Sequence, residues 1–211
     1  GLGDVYKRQV DMVTGMNGVI GVLLALQERQ RSGLGQLVDV SLYDSGISLL
    51  HPHAGNWFMS GRTPGRSGNA HPNIYPYDSF ATGTTPVFLA VGNDRQFRLL
   101  CEHLGCPQLV ADERFATAGQ RSHHRDALKP LLEQALQASD GPALADALMA
   151  IGVPAAPVLG VDAALNHPHT LHREMVVEME GGYRGLGAPV KLSRTPASYR
   201  HAPLAEGDSF E

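Results

Sequence analysis

The stretch from Val10 to Leu42 constrains the fold more than any other part of the chain. Val19, Ile20, Leu23, Leu24 and Leu26 recur at near-helical spacing, and the segment turns polar at Gln27-Glu28-Arg29. Asp11 and Thr14 are good residues for starting that helix. Ser32-Gly33-Leu34-Gly35 ends it, since glycine tolerates the left-handed backbone that follows a helix C-terminus. Gln36 to Leu42 then alternates Leu37/Val38 and Val40/Leu42 around Asp39 and Ser41, the pattern of a short, largely buried strand. Helix, glycine turn and strand in immediate succession call for an α/β layer.

A chain of 211 residues that is 43% hydrophobic and 18% charged is long enough to bury a core and too apolar to be disordered. Seventeen basic against 21 acidic residues offer no electrostatic case for binding nucleic acid. The longest apolar run, around Val19 to Leu26, is interrupted by Gly21 and is shorter than the ~18 residues of a membrane span, so no membrane partner is expected. Two cysteines are poor support for a disulfide-stapled secreted protein. The composition reads as that of a soluble, cytoplasmic globular protein. At the start of the chain, Asp4-Val5-Tyr6-Lys7-Arg8-Gln9 resembles the conceptual translation of a sequencing-library adapter. Residues 1–9 are therefore read as a non-native segment, with native sequence from about Val10 in an N-terminally truncated fragment.

Further along, a second helix is expected through Ile47, Leu49 and Leu50, limited by Pro52. Residues 60–73 are rich in glycine, proline and small polar residues and form the clearest linker. Tyr75 to Phe80 and Val87 to Val91 read as two strands around a turn at Gly83 to Pro86. Gly92-Asn93-Asp94 caps a helix carrying Phe97, Leu99, Leu100 and Leu104, which stops at Gly105. Gln120 to Ala138 is the best amphipathic helix, with a kink or break expected at Pro130. A short helix over Leu144 to Ile151, a strand over Ala155 to Leu159 and a helical turn over Val161 to Leu165 follow. Met175 to Met179 and Ala188 to Leu192 are the last strand candidates, separated by a glycine-rich turn at Gly181 to Gly187.

Asp11 is the carboxylate of most chemical interest. Placed just before an apolar helix, it would meet unpaired backbone N–H groups and the helix dipole, which keep a carboxylate ionised for work as a nucleophile or base. A plain N-cap aspartate is the competing reading. His51-Pro52-His53 and His167-Pro168-His169, with His172 nearby, lack a Cys or carboxylate at zinc-site spacing and read as surface turns, so no metal is expected. Cys101 and Cys106 are five apart and read as packed thiols. The glycine loop at Gly61 to Gly68 lacks Gly-Lys-Ser/Thr and is no phosphate cradle; a flexible lid or an ordinary linker remains. Trp57, Phe58 and Met59 suit a ligand pocket, core packing or a subunit contact, and Arg62 and Arg66 an anion or plain solvation.

Six blocks taken together resemble the family III CoA-transferases (the CaiB/BaiF family), which also contains alpha-methylacyl-CoA racemase. They are Asp11-Met12-Val13-Thr14-Gly15-Met16, Arg31 to Leu42 with its Ser-Gly-Leu-Gly-Gln turn, and Gly68-Asn69-Ala70-His71-Pro72-Asn73 running into Tyr75-Pro76-Tyr77. Val91 to Phe97, Asp112-Glu113-Arg114-Phe115 and Gly152 to Val158 complete the set, in family order. At the C-terminus Pro203-Leu204-Ala205-Glu206-Gly207-Asp208 departs from the family pattern.

The resemblance implies an α/β fold: the C-terminal part of a two-domain architecture, with an incomplete Rossmann-like large domain and a small α/β domain. Residues 10–60 would end the first part of the large domain and 61–73 would form the linker and glycine-containing loop. Residues 74–160 would be the small domain and 161–211 the return to the large one. It further implies transfer of coenzyme A between an acyl-CoA and a free carboxylic acid, with Asp11 as the nucleophile of a covalent aspartyl intermediate. Gly68, Asn69 and His71 would belong to a substrate loop that keeps water from that intermediate. The racemase branch would instead use Asp11 as an acid/base group, with Asp94 near an acidic residue that supports its partner histidine. A non-catalytic remnant is a further alternative for the fragment. The coenzyme A thioester enters as substrate, with no tightly bound cofactor, and the full-length protein is expected to be an interlocked homodimer.

Overall fold

The computed structural model describes residues 3–203, with side chains from Arg8 onward except Glu180. The chain divides into two compact units, Gly1–Gly68 and Asn69–Glu211.

The first unit is helical. α1 runs over Gly3–Ser32, α2 over Leu42–Ser48 and α3 over His53–Ser60. α1 ends where the sequence places its stop: Gly33 takes φ +75° and its N–H donates to the Arg29 carbonyl at 2.8 Å. The expected strand over Gln36 to Leu42 does not form. A strand needs a hydrogen-bonded neighbour, and among the described residues none pairs with this segment. Its last two residues belong instead to a helix start, the Ser41 hydroxyl accepting from the Asp44 N–H at 3.0 Å ahead of Leu42. The segment still lies against α1. Gly21, the interruption in the apolar run, stands where a Cβ would come within 2.6 Å of Val38 Cγ1, so only glycine admits this approach. Asn17 Nδ2 donates to Ser45 Oγ at 3.2 Å and ties α1 to α2. By length and composition alone the 25 residues Arg8–Ser32 are long and apolar enough to cross a membrane, although no single apolar run within them is. Core helices of water-soluble proteins meet the same criterion.

The second unit holds the core. Strands β1 (Tyr77–Phe80), β2 (Val87–Ala90) and β3 (Ala155–Pro157) form an antiparallel sheet in that order. Tyr77 pairs with Ala90, Phe80 with Val87, and Leu89 with Ala155. The helices between β2 and β3 are α4 (Asp94–His103), α5 (Gln108–Ala111), α6 (Ala118–His123), α7 (Arg125–Leu136) and α8 (Gly141–Ala150). Strand alternation turns Phe80, Val87 and Leu89 inward, where they join Phe97, Leu100, Phe115, Leu128, Leu132, Leu136 and Leu148. Each leucine so buried is worth about 1.5–3 kcal/mol relative to exposure.

The expected single helix over Gln120 to Ala138 is two helices, and the break falls at His124 rather than Pro130. α7 continues through Pro130 because that residue and Asp126, whose carbonyl loses its partner, both face water. The β1–β2 turn is keyed to the start of α8. Thr84 Oγ1 donates to Asp140 Oδ2 at 3.0 Å and accepts from the Gly141 N–H at 2.9 Å, while Gly83 N–H donates to the Ser139 carbonyl at 3.0 Å. A Cβ on Gly141 would collide with the Thr85 carbonyl, so the close approach depends on glycine.

After β3 come α9 (Val161–Leu165), α10 (Pro168–His172) and a hairpin of β4 (Val176–Met179) with β5 (Tyr183–Leu186). The expected strand at Ala188 to Leu192 is irregular, and the return strand lies inside the expected turn. Gly181 and Gly182, both at positive φ, reverse the chain directly after Met179 and pairing resumes at Tyr183.

Candidate functional site

Asp11 is not at a helix N-terminus. α1 begins at Gly3, so Asp11 lies in the third turn, exposed to solvent, and the unpaired N–H groups of the helix start are two turns away. The dipole argument lapses with that position, because the effect is confined to the first turn. Three residues on, Thr14 Oγ1 donates to the Val10 carbonyl at 2.7 Å. What the structure supplies at Asp11 is a solvent-facing carboxylate on a helix.

Gly68 and Asn69 are exposed and end a run, residues 61–69, that is exposed throughout. Gly68 takes φ +61°, a left-handed conformation that glycine adopts without cost. Backbone engagement begins at His71. Its Nδ1 accepts from the Asn73 and Ile74 N–H groups, each at 3.1 Å, its own N–H donates to the Tyr77 carbonyl at 2.8 Å, and its ring meets Tyr77 edge-on. His71 thus organises a turn and is held by backbone on both sides.

Asp94 is the first residue of α4, whose N-cap is Asn93: Asn93 Oδ1 accepts from the Gln96 N–H at 2.9 Å, and Gln96 Oε1 accepts from the Gly92 N–H at 2.8 Å. The Asp94 carboxylate is half exposed and accepts from Arg121 Nη2 at 2.7 Å.

Arg121, which sequence reasoning passed over, is fully buried. Besides Asp94, its guanidinium donates to the carbonyls of Tyr75 (3.2 Å) and Phe115 (3.0 Å) and lies 4.4 Å over the Phe97 ring. One residue therefore joins three of the sequence blocks, those around Tyr75, Asp94–Phe97 and Phe115. A fourth is attached through Ala90 N–H to the Pro154 carbonyl and Gln96 Nε2 to the Gly152 carbonyl. One turn later Arg125 donates from Nη1 to the His71 carbonyl (3.1 Å) and from Nη2 to the Pro72 carbonyl (2.9 Å). A charged residue every fourth position on an amphipathic helix was the available signal, and it reads equally as a solvated face.

Of the other candidates, Asp112 and Arg114 form a bidentate pair at 2.7–3.2 Å that holds the Asp112 carboxyl below its usual range and closes a turn over buried Phe115. Among the described residues no three His, Cys, Asp or Glu side chains are grouped as metal ligands would be. His167 caps α10, its Nδ1 accepting from the His169 N–H at 3.2 Å. Cys101 and Cys106 are brought together by the turn that ends α4. There the Cys106 N–H donates to the Cys101 carbonyl at 2.9 Å and Gly105 N–H to the Glu102 carbonyl at 3.2 Å. Both thiols are buried, and the hydrogen bond to Cys106, reinforced by burial, pushes the Cys101 thiol up. Trp57, Phe58 and Met59 are exposed, with Trp57 edge-on to Phe58 at 5.4 Å. Arg62 and Arg66 are exposed as well.

Comparison with known proteins gives a consistent result. The profile of CoA-transferase family III matches residues 5–209. The chain is 37% identical over 183 residues to an acetyl-CoA:oxalate CoA-transferase of Acetobacter aceti, covering 87% of this chain and 47% of that protein. It is 34% identical over 207 residues to a succinyl-CoA:mesaconate CoA-transferase of Haloarcula marismortui, covering 95% and 52%. The crystal structure of a CaiB/BaiF family protein from Brucella suis superimposes with a TM-score of 0.72 at 38% identity, over 89% of this chain and 49% of that one. The chain spans about half the length of the curated relatives it matches.

Proposed function

The chain belongs to CoA-transferase family III, and from that premise we propose that the full-length protein moves coenzyme A from an acyl-CoA to a free carboxylic acid through a covalent intermediate on Asp11. The observation that carries the proposal is the family match over residues 5–209, which includes Asp11 and the Gly68–Tyr77 block. Two relatives' names pair a short acyl-CoA with a dicarboxylic acid and a third pairs two dicarboxylic acids, which supports a dicarboxylate as one exchange partner.

Asp11 Oδ attacks the thioester carbonyl, the C–S bond breaks, and an aspartyl mixed anhydride forms with release of CoA thiolate. The thiolate then attacks the aspartyl carbonyl, expels the donor carboxylate and leaves an aspartyl-CoA thioester. An acceptor carboxylate attacks that thioester, giving a second anhydride and free thiolate. Attack of the thiolate on the acceptor acyl carbon yields the new acyl-CoA and restores Asp11. Thioester energy is conserved throughout, provided water is kept out, the role we assign to the loop of Gly68, Asn69 and His71. Coenzyme A takes part as substrate, with no further cofactor. This reading makes α1 a core helix of a cytoplasmic enzyme that works as an interlocked homodimer, which the mass in solution tests.

The decisive experiment offers acetyl-CoA and succinyl-CoA to the full-length protein with oxalate, mesaconate and glutarate as acceptors, followed by hydroxylamine. An Asp11 hydroxamate that requires acyl-CoA is the expected result. An unmodified Asp11, with deuterium entering C2 of the acyl-CoA in heavy water, would replace the proposal with racemase chemistry.

A further inference from the structure

We propose that Arg125 is a positioning residue for the transferase reaction, anchoring the substrate loop at the point where it joins the folded core; this rests on the function proposed above. The loop and its anchor differ sharply in how they are held. Residues 61–69 are exposed at every position. From His71 to Pro76 most polar backbone groups are engaged. The carbonyls of His71 and Pro72 accept from Arg125 Nη1 and Nη2, that of Tyr75 from Arg121 Nε, and that of Pro76 from the Val91 N–H at 3.0 Å. The N–H groups of Asn73 and Ile74 are taken by the His71 ring.

Within this set Arg125 has a distinct place. Arg121 is wholly buried and braces the core through Phe97 and Phe115. Arg125 is half-buried, and its guanidinium forks to two successive carbonyls, His71 and Pro72, just after the exposed run. The fork is itself held rigid. Nε donates to the Ser122 carbonyl at 3.0 Å, Nη2 also donates to Ser122 Oγ at 2.9 Å, and the guanidinium carbon lies 5.6 Å from the Tyr75 ring centre. A planar guanidinium holds two acceptors in one preset geometry, which an ammonium with rotatable donors on a flexible stem does less firmly. The direction in which the chain leaves the core toward Asn69 and Gly68 is therefore set by Arg125. A loop displaced by an ångström at its root no longer covers an anhydride, and water takes the place of the acceptor. Water then adds to the acyl carbon, so that acyl-CoA and water give the free acid and CoA thiol.

The test compares wild type, Arg125→Lys and Arg125→Gln in the full-length protein. The donor is whichever of acetyl-CoA or succinyl-CoA labels Asp11 in wild type. Hydrolysis and transfer are measured in the same reaction, and their ratio does not depend on how much of a variant is folded. Arg125→Gln is expected to raise hydrolysis over transfer about tenfold, with Arg125→Lys in between. If both variants lose activity or melting temperature while the ratio stays at the wild-type value, Arg125 is only a structural brace and the inference fails. If wild type itself yields no Asp11 adduct with either donor, the function proposal fails first, and the two failures are told apart.

Discussion

α1 and α7 carry comparable aliphatic stripes and meet opposite fates. In α7 the leucines at 128, 132 and 136 are completely buried, whereas in α1 Val19, Leu23 and Leu26 are 61%, 60% and 40% exposed. The difference lies in what the neighbouring sequence provides. Residues following Tyr75 include three strands and four further helices that close over α7. α1 has α2 and one extended segment, and no large hydrophobic side chain among the described residues of its unit is buried. Helical periodicity reports that a face is apolar; it does not report whether the covering surface lies in the same stretch of chain.

The sharpest way to break this comparison is a pair of truncations. Leu132→Ala should cost about 2–5 kcal/mol in denaturant unfolding, through lost burial and the cavity left behind. Leu23→Ala should stay within about 0.5 kcal/mol in the 211-residue chain. Equal losses would show that α1 has a buried partner in this chain after all. Next in size is Arg121→Met, expected to cost roughly 2–4 kcal/mol because the Tyr75 and Phe115 carbonyls lose their donor in the interior. Asp94→Ala, with its half-exposed carboxylate, should cost only about 1 kcal/mol after solvent screening. If the two losses are alike in the same unfolding curves, the ion pair rather than the carbonyl bracing holds the junction.

Tyr75→Phe is a gentler probe. The Tyr75 hydroxyl is buried without a hydrogen-bond partner, and burial, with nearby Asp78, pushes its pKa above the usual phenol range. Removing it should leave the neutral-pH melting temperature unchanged or raised. The raised folded pKa means that wild type has its full stability below the unfolded value of 10.0 and loses it as the pH climbs toward the folded one. The phenylalanine variant should lack that alkaline loss in melts from pH 8 to about 11. Asp112→Ala should give the smallest effect. A lowered folded pKa makes its contribution present above the ordinary carboxylate value of 3.8 and lost as the pH falls through the folded value. The melting-temperature gap to wild type should accordingly close in acid.

What was legible in the residues follows the same division. The β1–β2 hairpin and α4, with its Asn93 cap and Gly105 stop, came from local signals, whereas α8 begins at Gly141, a turn before the expected Leu144, and β3 ends at Pro157 rather than Leu159. The strand expected at Gln36 to Leu42 depended on a partner that no local pattern can supply. The helix break at His124 rather than Pro130 depended on which face met water. Asp11, Gly68, Asn69 and Asp94 stood out as chemistry-bearing residues within family blocks. Arg121 and Arg125 did not, because their importance lies in carbonyls about 50 residues away. Asp11 lies two turns inside α1 rather than at its start, because the helix extends upstream of the first apolar residues to Gly3.

The keying of the Thr82–Thr85 turn to Asp140 and Gly141 has a consequence for synthesis on the ribosome. Thr84 and Gly141 are 57 residues apart. At roughly 5–20 residues per second, the hairpin emerges about 3–11 seconds before the helix start that locks its tip. During that interval β2 also lacks β3, the neighbour on its far edge. A nascent chain therefore presents one unpaired strand edge whose exposure time is governed by translation speed, and slow codons between 86 and 141 would lengthen it.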